Sequence, residues 1–183
     1  MFADIPVTNQ KRIVIVGAGF GGLALAQKLC KKDVQLVLID KNNYHQFQPL
    51  FYQVAMGGLE PSSISFPLRK VFHDHTNIHV RITSVNAVDT EIKQLSTDIG
   101  VINFDFLVLA LGADTNYYGQ QNIMRHAIPM KSISEAIYLR NRVLQNFEDA
   151  LSESEVKEKE GRMSMVVVGG GPTGVEISGT IAE

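Results

Sequence analysis

Gly17-Ala18-Gly19-Phe20-Gly21-Gly22 carries glycines at the spacing G-x-G-x-x-G. The first glycine of such a run permits a tight turn. The second lets backbone approach a bound group closely, and the third lets a helix pack hard on a strand. A helix opening at this point offers unpaired N–H groups and the positive end of its dipole, which is chemistry suited to phosphate. Asp40 closes the next apolar run, where a carboxylate can accept hydrogen bonds from ribose hydroxyls. The pattern then recurs at residues 169–174, Gly-Gly-Gly-Pro-Thr-Gly, with Gly169, Gly171 and Gly174 in the three glycine positions. The spacing predicts a dinucleotide site on Gly17, Gly19, Gly22 and Asp40, and a second by repetition on the later turn.

These residues need elements to position them. Lys11 to Val16 and Gln35 to Asp40 are short apolar runs suited to buried parallel strands, and Leu23 to Lys31 between them has helical spacing. Asn42 to Gly58 has no clear period and is long for a plain connection. Pro61-Ser62-Ser63 precedes a short helical segment, Phe66 to Phe72. Ile78 to Val88, Ile92 to Ser96 and Val101 to Phe104 alternate and predict a three-stranded antiparallel meander. Phe106 to Ala110 reads as another buried strand, running into Leu111-Gly112-Ala113. Ser132 and Glu135 fit a capping box. Behind it Ile137, Arg140, Val143, Leu144, Phe147 and Leu151 mark an amphipathic helix. Ser152 to Gly161 is a charged, solvated stretch, and Met163 to Val168 reads as a fresh buried strand.

The expected fold is α/β. Residues 1–130 form a doubly wound Rossmann-like domain with an antiparallel β-meander, and 131–162 form a connecting helix and charged linker. Residues 163–183 open a second Rossmann-like domain that stops inside its first helix, so the polypeptide reads as a piece of a longer protein.

Composition narrows the function classes. Of 183 residues, 45% are hydrophobic and 20% charged, the balance of a globular protein. Lys+Arg 17 against Asp+Glu 19 gives a net charge of −2, which provides no footprint for nucleic acid. Cys30 is the single cysteine, which excludes an internal disulfide, a CxxC redox pair and a cysteine zinc cluster. No apolar run reaches membrane-spanning length and the N-terminus lacks a basic start, so a cytoplasmic chain is expected. His73, His75 and His79 with Asp74 would be scattered by a loop and a strand, so no metal site is expected there.

Two such glycine turns separated by a meander, with Leu109-Ala110-Leu111-Gly112 closing a strand, resemble the flavoproteins that have two dinucleotide-binding domains. The stretch Asp40-Lys41-Asn42-Asn43-Tyr44-His45-Gln46-Phe47-Gln48-Pro49-Leu50-Phe51-Tyr52-Gln53-Val54-Ala55, together with Val168 to Glu176, is similar to type II NADH dehydrogenases. The resemblance covers residues 11–183 and implies the N-terminal part of an enzyme that passes a hydride from NADH to FAD and electrons on to a membrane quinone. It implies that Gly17, Ala18, Gly19, Phe20, Gly21 and Gly22 line the FAD pyrophosphate. Asp40 would hold the ribose, with Lys41 and Asn42 near the adenosine half, and Val85 would meet the adenine through its backbone. Gln48, Pro49 and Leu50 would approach the isoalloxazine, while Ala110 and Gly112 would face the diphosphate-ribose region. Gly169, Gly171 and Gly174 would hold NADH, and Glu176 would sit where nicotinamide meets flavin.

The resemblance further implies peripheral attachment of the full-length protein to the inner face of the cell membrane, and leaves a homodimer open. On its own the chain is expected to be inactive and to hold FAD weakly. Two other readings stay open: a ferredoxin or rubredoxin reductase-like flavoenzyme, and a non-catalytic dinucleotide-binding module. Tyr44, Phe47, Phe51 and Tyr52 could stack near a flavin or plug the space under a long loop.

Overall fold

The computed structural model describes residues 3–182. In chain order come β1 (Arg12–Val16), α1 (Phe20–Leu29), β2 (Gln35–Asp40), β3 (Tyr44–Gln46) and α2 (Phe51–Ala55). Then follow β4 (Ser65–Pro67), α3 (Leu68–Val71), β5 (Ile78–Ile82), β6 (Val85–Asp89), β7 (Gln94–Thr97), β8 (Gly100–Asn103) and β9 (Phe106–Leu109). The remainder is helical: α4 (Gln121–His126), α5 (Ile133–Ser152), α6 (Val156–Met163) and α7 (Pro172–Ala182). Two compact units divide the chain, one built from 1–45 and 66–113, the other from 46–65 and 114–183.

The first unit is built on a parallel sheet of order β5-β2-β1-β9. Val14 sits level with Val37 on β2 and Leu107 on β9. Successive side chains of a strand face opposite ways, and the sequence uses both faces. Ile15, Leu36 and Leu38 point to one side, where Ala26 and Cys30 of the first helical segment and Leu68 and Phe72 cover them. Val14, Val16, Val37 and Ile39 point to the other side, where Leu95 and Ile102 of the meander cover them. A strand buried on both faces has to be apolar throughout, which is why β1 and β2 read as unbroken Ile/Val/Leu runs.

The meander is β6-β7-β8. The run Ile78 to Val88, expected to be one strand of it, is two strands. Ile82 pairs in parallel with Asp40, whereas Val85 pairs antiparallel with Thr97. Between them the Thr83 N–H bonds back to the Asp40 carbonyl at 3.0 Å, and the chain changes sheets there. Both halves are β-rich, so only the identity of their partners separates them. Likewise Phe66 to Phe72 is not helical throughout: Ser65–Pro67 is strand and Leu68–Val71 is helix.

The second unit centres on Phe51, Val54, Ala55 and Ile64 packed with Ile133 and Ala136 of α5. The α5 capping box is formed as expected: Glu135 N donates to Ser132 Oγ at 3.2 Å and Ser132 N donates to the Glu135 carboxylate at 2.9 Å. The apolar stripe farther along α5 is not buried. Leu144, Phe147 and Leu151 are 57%, 42% and 77% exposed, so among the described residues nothing covers it. The charged stretch after it forms α6, tied to the end of α5 by Arg162 on Glu153 at 3.0 Å.

Met163 to Val168 is not a strand. Met163 ends α6, and Val166 and Val168 are 87% and 62% exposed. A strand exists only where a neighbour completes its ladder, and no described residue pairs with this segment.

At the opposite end of the parallel sheet from the glycine turn, Asp105 ties β1 to the entry of β9. Its carboxylate accepts from the Arg12 backbone N–H at 2.8 Å and from Lys11 Nζ at 2.9 Å. These bonds, the Arg12 N–H first, hold the Asp105 carboxyl below its ordinary value of 3.8. A carboxyl depressed by folding stabilises the folded state above its unfolded pKa and loses that contribution as pH falls through its folded value. Asp105→Asn is therefore expected to lower the melting temperature at neutral pH, with the gap to the parent narrowing as melts are repeated at pH values falling below the ordinary 3.8.

Candidate functional site

The carboxyl ends of β2, β1 and β9 meet at the first glycine turn. Gly17 N donates to the Ile39 carbonyl and Ala110 N to the Val16 carbonyl, both at 2.7 Å. Gly17 has φ +103°, a conformation side chains with a Cβ rarely adopt. A Cβ at Gly17 would strike the Ala110 carbonyl, and one at Gly22 would strike the carbonyl oxygen of Gly17. The turn thus lets α1 lie directly on the end of β1. Gly19 and Gly21 are different: nothing lies within 4 Å of where a Cβ would stand. Gly19 is the N-cap of α1, and no side chain caps that end. Open space beside Gly19 and Gly21 at the start of α1 is the arrangement that suits an anion.

Asp40 reaches back into this turn. Its Oδ2 accepts from the Ala18 N–H at 2.7 Å and its Oδ1 from the Asn42 N–H at 2.8 Å. Spacing identified the carboxylate but not this second task, which depends on bringing Asp40 beside a residue 22 positions earlier. His45, which spacing did not single out, has its Nδ1 2.9 Å from the Ala18 carbonyl, and its ring meets Phe20 edge-on at 5.5 Å between centroids. Lys41 is exposed and Asn42 half-buried beside Asp40. Val85, half-buried, starts β6. Ala110 is half-buried against the turn, and Gly112, exposed, has φ +72°. Gly17, Ala18, Gly19, Phe20, Gly22, Asp40 and Ala110 thus converge on one edge of the sheet.

In the second unit, Gln48 and Pro49 are exposed and Leu50 half-buried, in a single 3-10 turn leading into α2. Of the nearby aromatics, Phe51 is a core residue at 1% exposure, and the Tyr52 hydroxyl accepts from Gln53 Nε2 at 3.1 Å. The later glycine turn copies the first. Gly169 has φ +110°, and a Cβ at Gly174 would strike the Gly169 carbonyl oxygen, while Gly170 and Gly171 face open space. Glu176 follows on the first turns of α7 and is exposed.

The histidines of the first unit point to separate places. His73 Nδ1 lies 2.8 Å from the Lys70 carbonyl, its Nε2 3.1 Å from Asp74. His75 Nε2 lies 3.5 Å from the Cys30 thiol, itself a buried residue against α1. His79 lies near Gln35, and burial, with the charges of Arg81 and Arg12, lowers its pKa from the ordinary 6.5. Among the described residues no three metal-ligating groups cluster, and no helix is long and apolar enough to cross a membrane.

Sterics separate the roles of the glycines. Gly22→Ala forces backbone against backbone and is expected to cost roughly 1–3 kcal/mol, the usual range for overpacking. Gly19→Ala meets open space and should cost no more than the N-cap preference, below about 1 kcal/mol. Chemical denaturation of the two variants checks the order; an equal loss in both would contradict this geometry.

Residues 11–183 match the family model described as pyridine nucleotide-disulphide oxidoreductase. The chain is 40% identical over 181 residues to the type II NADH:quinone oxidoreductase NdhA of Mycobacterium tuberculosis, a match covering 97% of this chain and 38% of that protein. It is 27% identical over 179 residues to the type II NADH:quinone oxidoreductase of Staphylococcus aureus, covering 96% of this chain and 44% of that one. The solved structure of NDH2 from Plasmodium falciparum in complex with NADH aligns with TM-score 0.87 at 26% identity, over 95% of this chain and 37% of that chain. The chain thus spans less than half the length of these relatives. With one cysteine in 183 residues it contains no redox disulfide of its own. The parallel sheet, the glycine turn at its carboxyl edge and the match across 11–183 make this chain a member of the pyridine nucleotide-disulphide oxidoreductase family.

Proposed function

We propose that the complete protein to which this chain belongs is an FAD-dependent NADH:quinone oxidoreductase. The observation that carries this reading is the pair of glycine turns. Each opens with a glycine at φ above +100°, and each closes with a glycine pressed on the first one's carbonyl. Relatives that are type II NADH:quinone oxidoreductases support it. In this reading residues 1–130 form the FAD-binding domain, 131–162 the connection, and 163–183 the opening of the NAD(P)H-binding domain.

The first turn fits a pyrophosphate on its own geometry. The space beside Gly19 and Gly21 is open, the α1 N-terminus is uncapped, and a carboxylate stands at the end of β2. Gly17 and Gly22 bring the backbone into place, and the N–H groups from Gly19 onward receive the phosphates. Asp40 accepts from the adenosine ribose while its other bonds steady the turn, with Lys41 and Asn42 alongside. Val85 meets the adenine, Ala110 and Gly112 border the diphosphate-ribose, and Gln48, Pro49 and Leu50 approach the isoalloxazine. Gly169, Gly171 and Gly174 receive NADH, and Glu176 stands on the nicotinamide side. Bound FAD would supply the hydride acceptor and the electron store between NADH and the quinone. Peripheral attachment to the inner face of the membrane, where quinone resides, completes the reading, which leaves a homodimer open.

NADH oxidation by the FAD-loaded complete protein is expected with a soluble quinone as acceptor. Reduction of ferredoxin or rubredoxin in place of quinone, or no FAD uptake at all, would overturn the assignment. Glu176→Ala is expected to lower turnover or raise the Michaelis constant while FAD content and melting temperature hold. A merely helix-stabilising acid, worth about 0.3–1 kcal/mol at such a terminus, would leave steady-state kinetics unchanged and shift only the melt.

A further inference from the structure

The Ala18 residue is gripped from two sides. Asp40 Oδ2 takes its N–H at 2.7 Å, and His45 Nδ1 stands 2.9 Å from its carbonyl oxygen. A carbonyl can only accept, so His45 donates through an Nδ1–H. Ala18 and His45 are both buried, at 2% and 7% exposure, while the next residue, Gly19, is exposed with open space beside it. The carbonyl of Ala18 and the N–H of Gly19 belong to the same peptide plane. That peptide is trans, so the two groups point in opposite directions. Holding the carbonyl inward on His45 aims the Gly19 N–H outward.

The peptide needs such a hold. Gly19 has no Cβ to restrict rotation about the bonds flanking this plane, and a glycine visits conformations closed to other residues. Without a partner on the carbonyl, the plane could turn over and present oxygen in place of N–H to an incoming phosphate.

We propose that His45 is a positioning residue for the FAD pyrophosphate: its Nδ1–H fixes the Ala18 carbonyl so that the Gly19 N–H faces the phosphate. The proposal rests on the reading that FAD occupies the first turn. It separates His45 from its other contact, the edge-on ring of Phe20, because two substitutions split the donor from the ring. His45→Asn keeps a short N–H donor near the Nδ1 position and removes the ring. His45→Phe keeps an aromatic ring and removes the donor.

The test is FAD titration of the apo form of the complete protein by flavin fluorescence, with phosphorus NMR of the bound pyrophosphate and a thermal melt of each variant. His45→Phe is expected to weaken FAD binding roughly tenfold or more, the loss for one hydrogen bond to a charged-group site, and to shift the phosphorus resonances. His45→Asn is expected to stay within a few-fold of the parent with unshifted resonances. The reverse order, or parent-like affinity and spectra in His45→Phe, overturns the proposal and assigns His45 to ring packing. If His45→Phe does not fold, His45→Asn against His45→Gln decides, since the longer amide places its N–H where Nε2 stands and should not restore binding. Failure of the parent itself to take up FAD would refute the functional reading, which is distinct from FAD-binding variants that ignore the donor.

Discussion

The contact that organises the first unit is between two glycines. Gly22 lies so close to the Gly17 carbonyl that no Cβ fits between them. This lets α1 start where β1 stops, with the helix axis following from the strand end. The bonds from Gly17 to Ile39 and from Ala110 to Val16 then lock the turn between β2 and β9. The uncapped N-terminus of α1, the carboxylate of Asp40 and the backbone at Ala110 come together because the strands that carry them are neighbours in the sheet. Take away that close approach and α1 moves off the sheet, with its N–H groups no longer beside Asp40.

Around this point the sheet is covered differently on its two faces. Helical segments cover Ile15, Leu36 and Leu38, and the meander covers Val14, Val37 and Ile39 through Leu95 and Ile102. The alternating pleat makes this possible with strands of only five or six residues. Both covers leave the carboxyl edge accessible, where open α/β sheets place their ligands.

The two glycine turns form a natural comparison. Gly17 and Gly169 share a left-handed φ, and Gly22 and Gly174 each press on the carbonyl of the first glycine. Yet Lys11 to Val16 leads into its turn as a paired strand, while Met163 to Val168 leads into its own unpaired. The turn is a local object, set by which backbone angles glycine can reach within a few residues. A strand is not local, because its N–H and C=O groups must find a neighbour.

The same distinction separates what the amino-acid sequence determined from what the tertiary structure decided. Glycine spacing, the apolar runs of β1 and β2, and the Ser132–Glu135 cap were legible because each depends on sterics or hydrogen bonds across a handful of residues. The division of Ile78 to Val88 between two sheets was not legible, since both halves have strand composition and only their partners differ. Asp40 was legible as a strand-end acid, but not as the acceptor for Ala18, and His45 was not legible as a contact of the turn at all. Both meet Ala18 across more than twenty residues of chain, through the parallel pairing of β1 with β2. No spacing rule reports such a contact, because the sheet creates the proximity and the residues only exploit it.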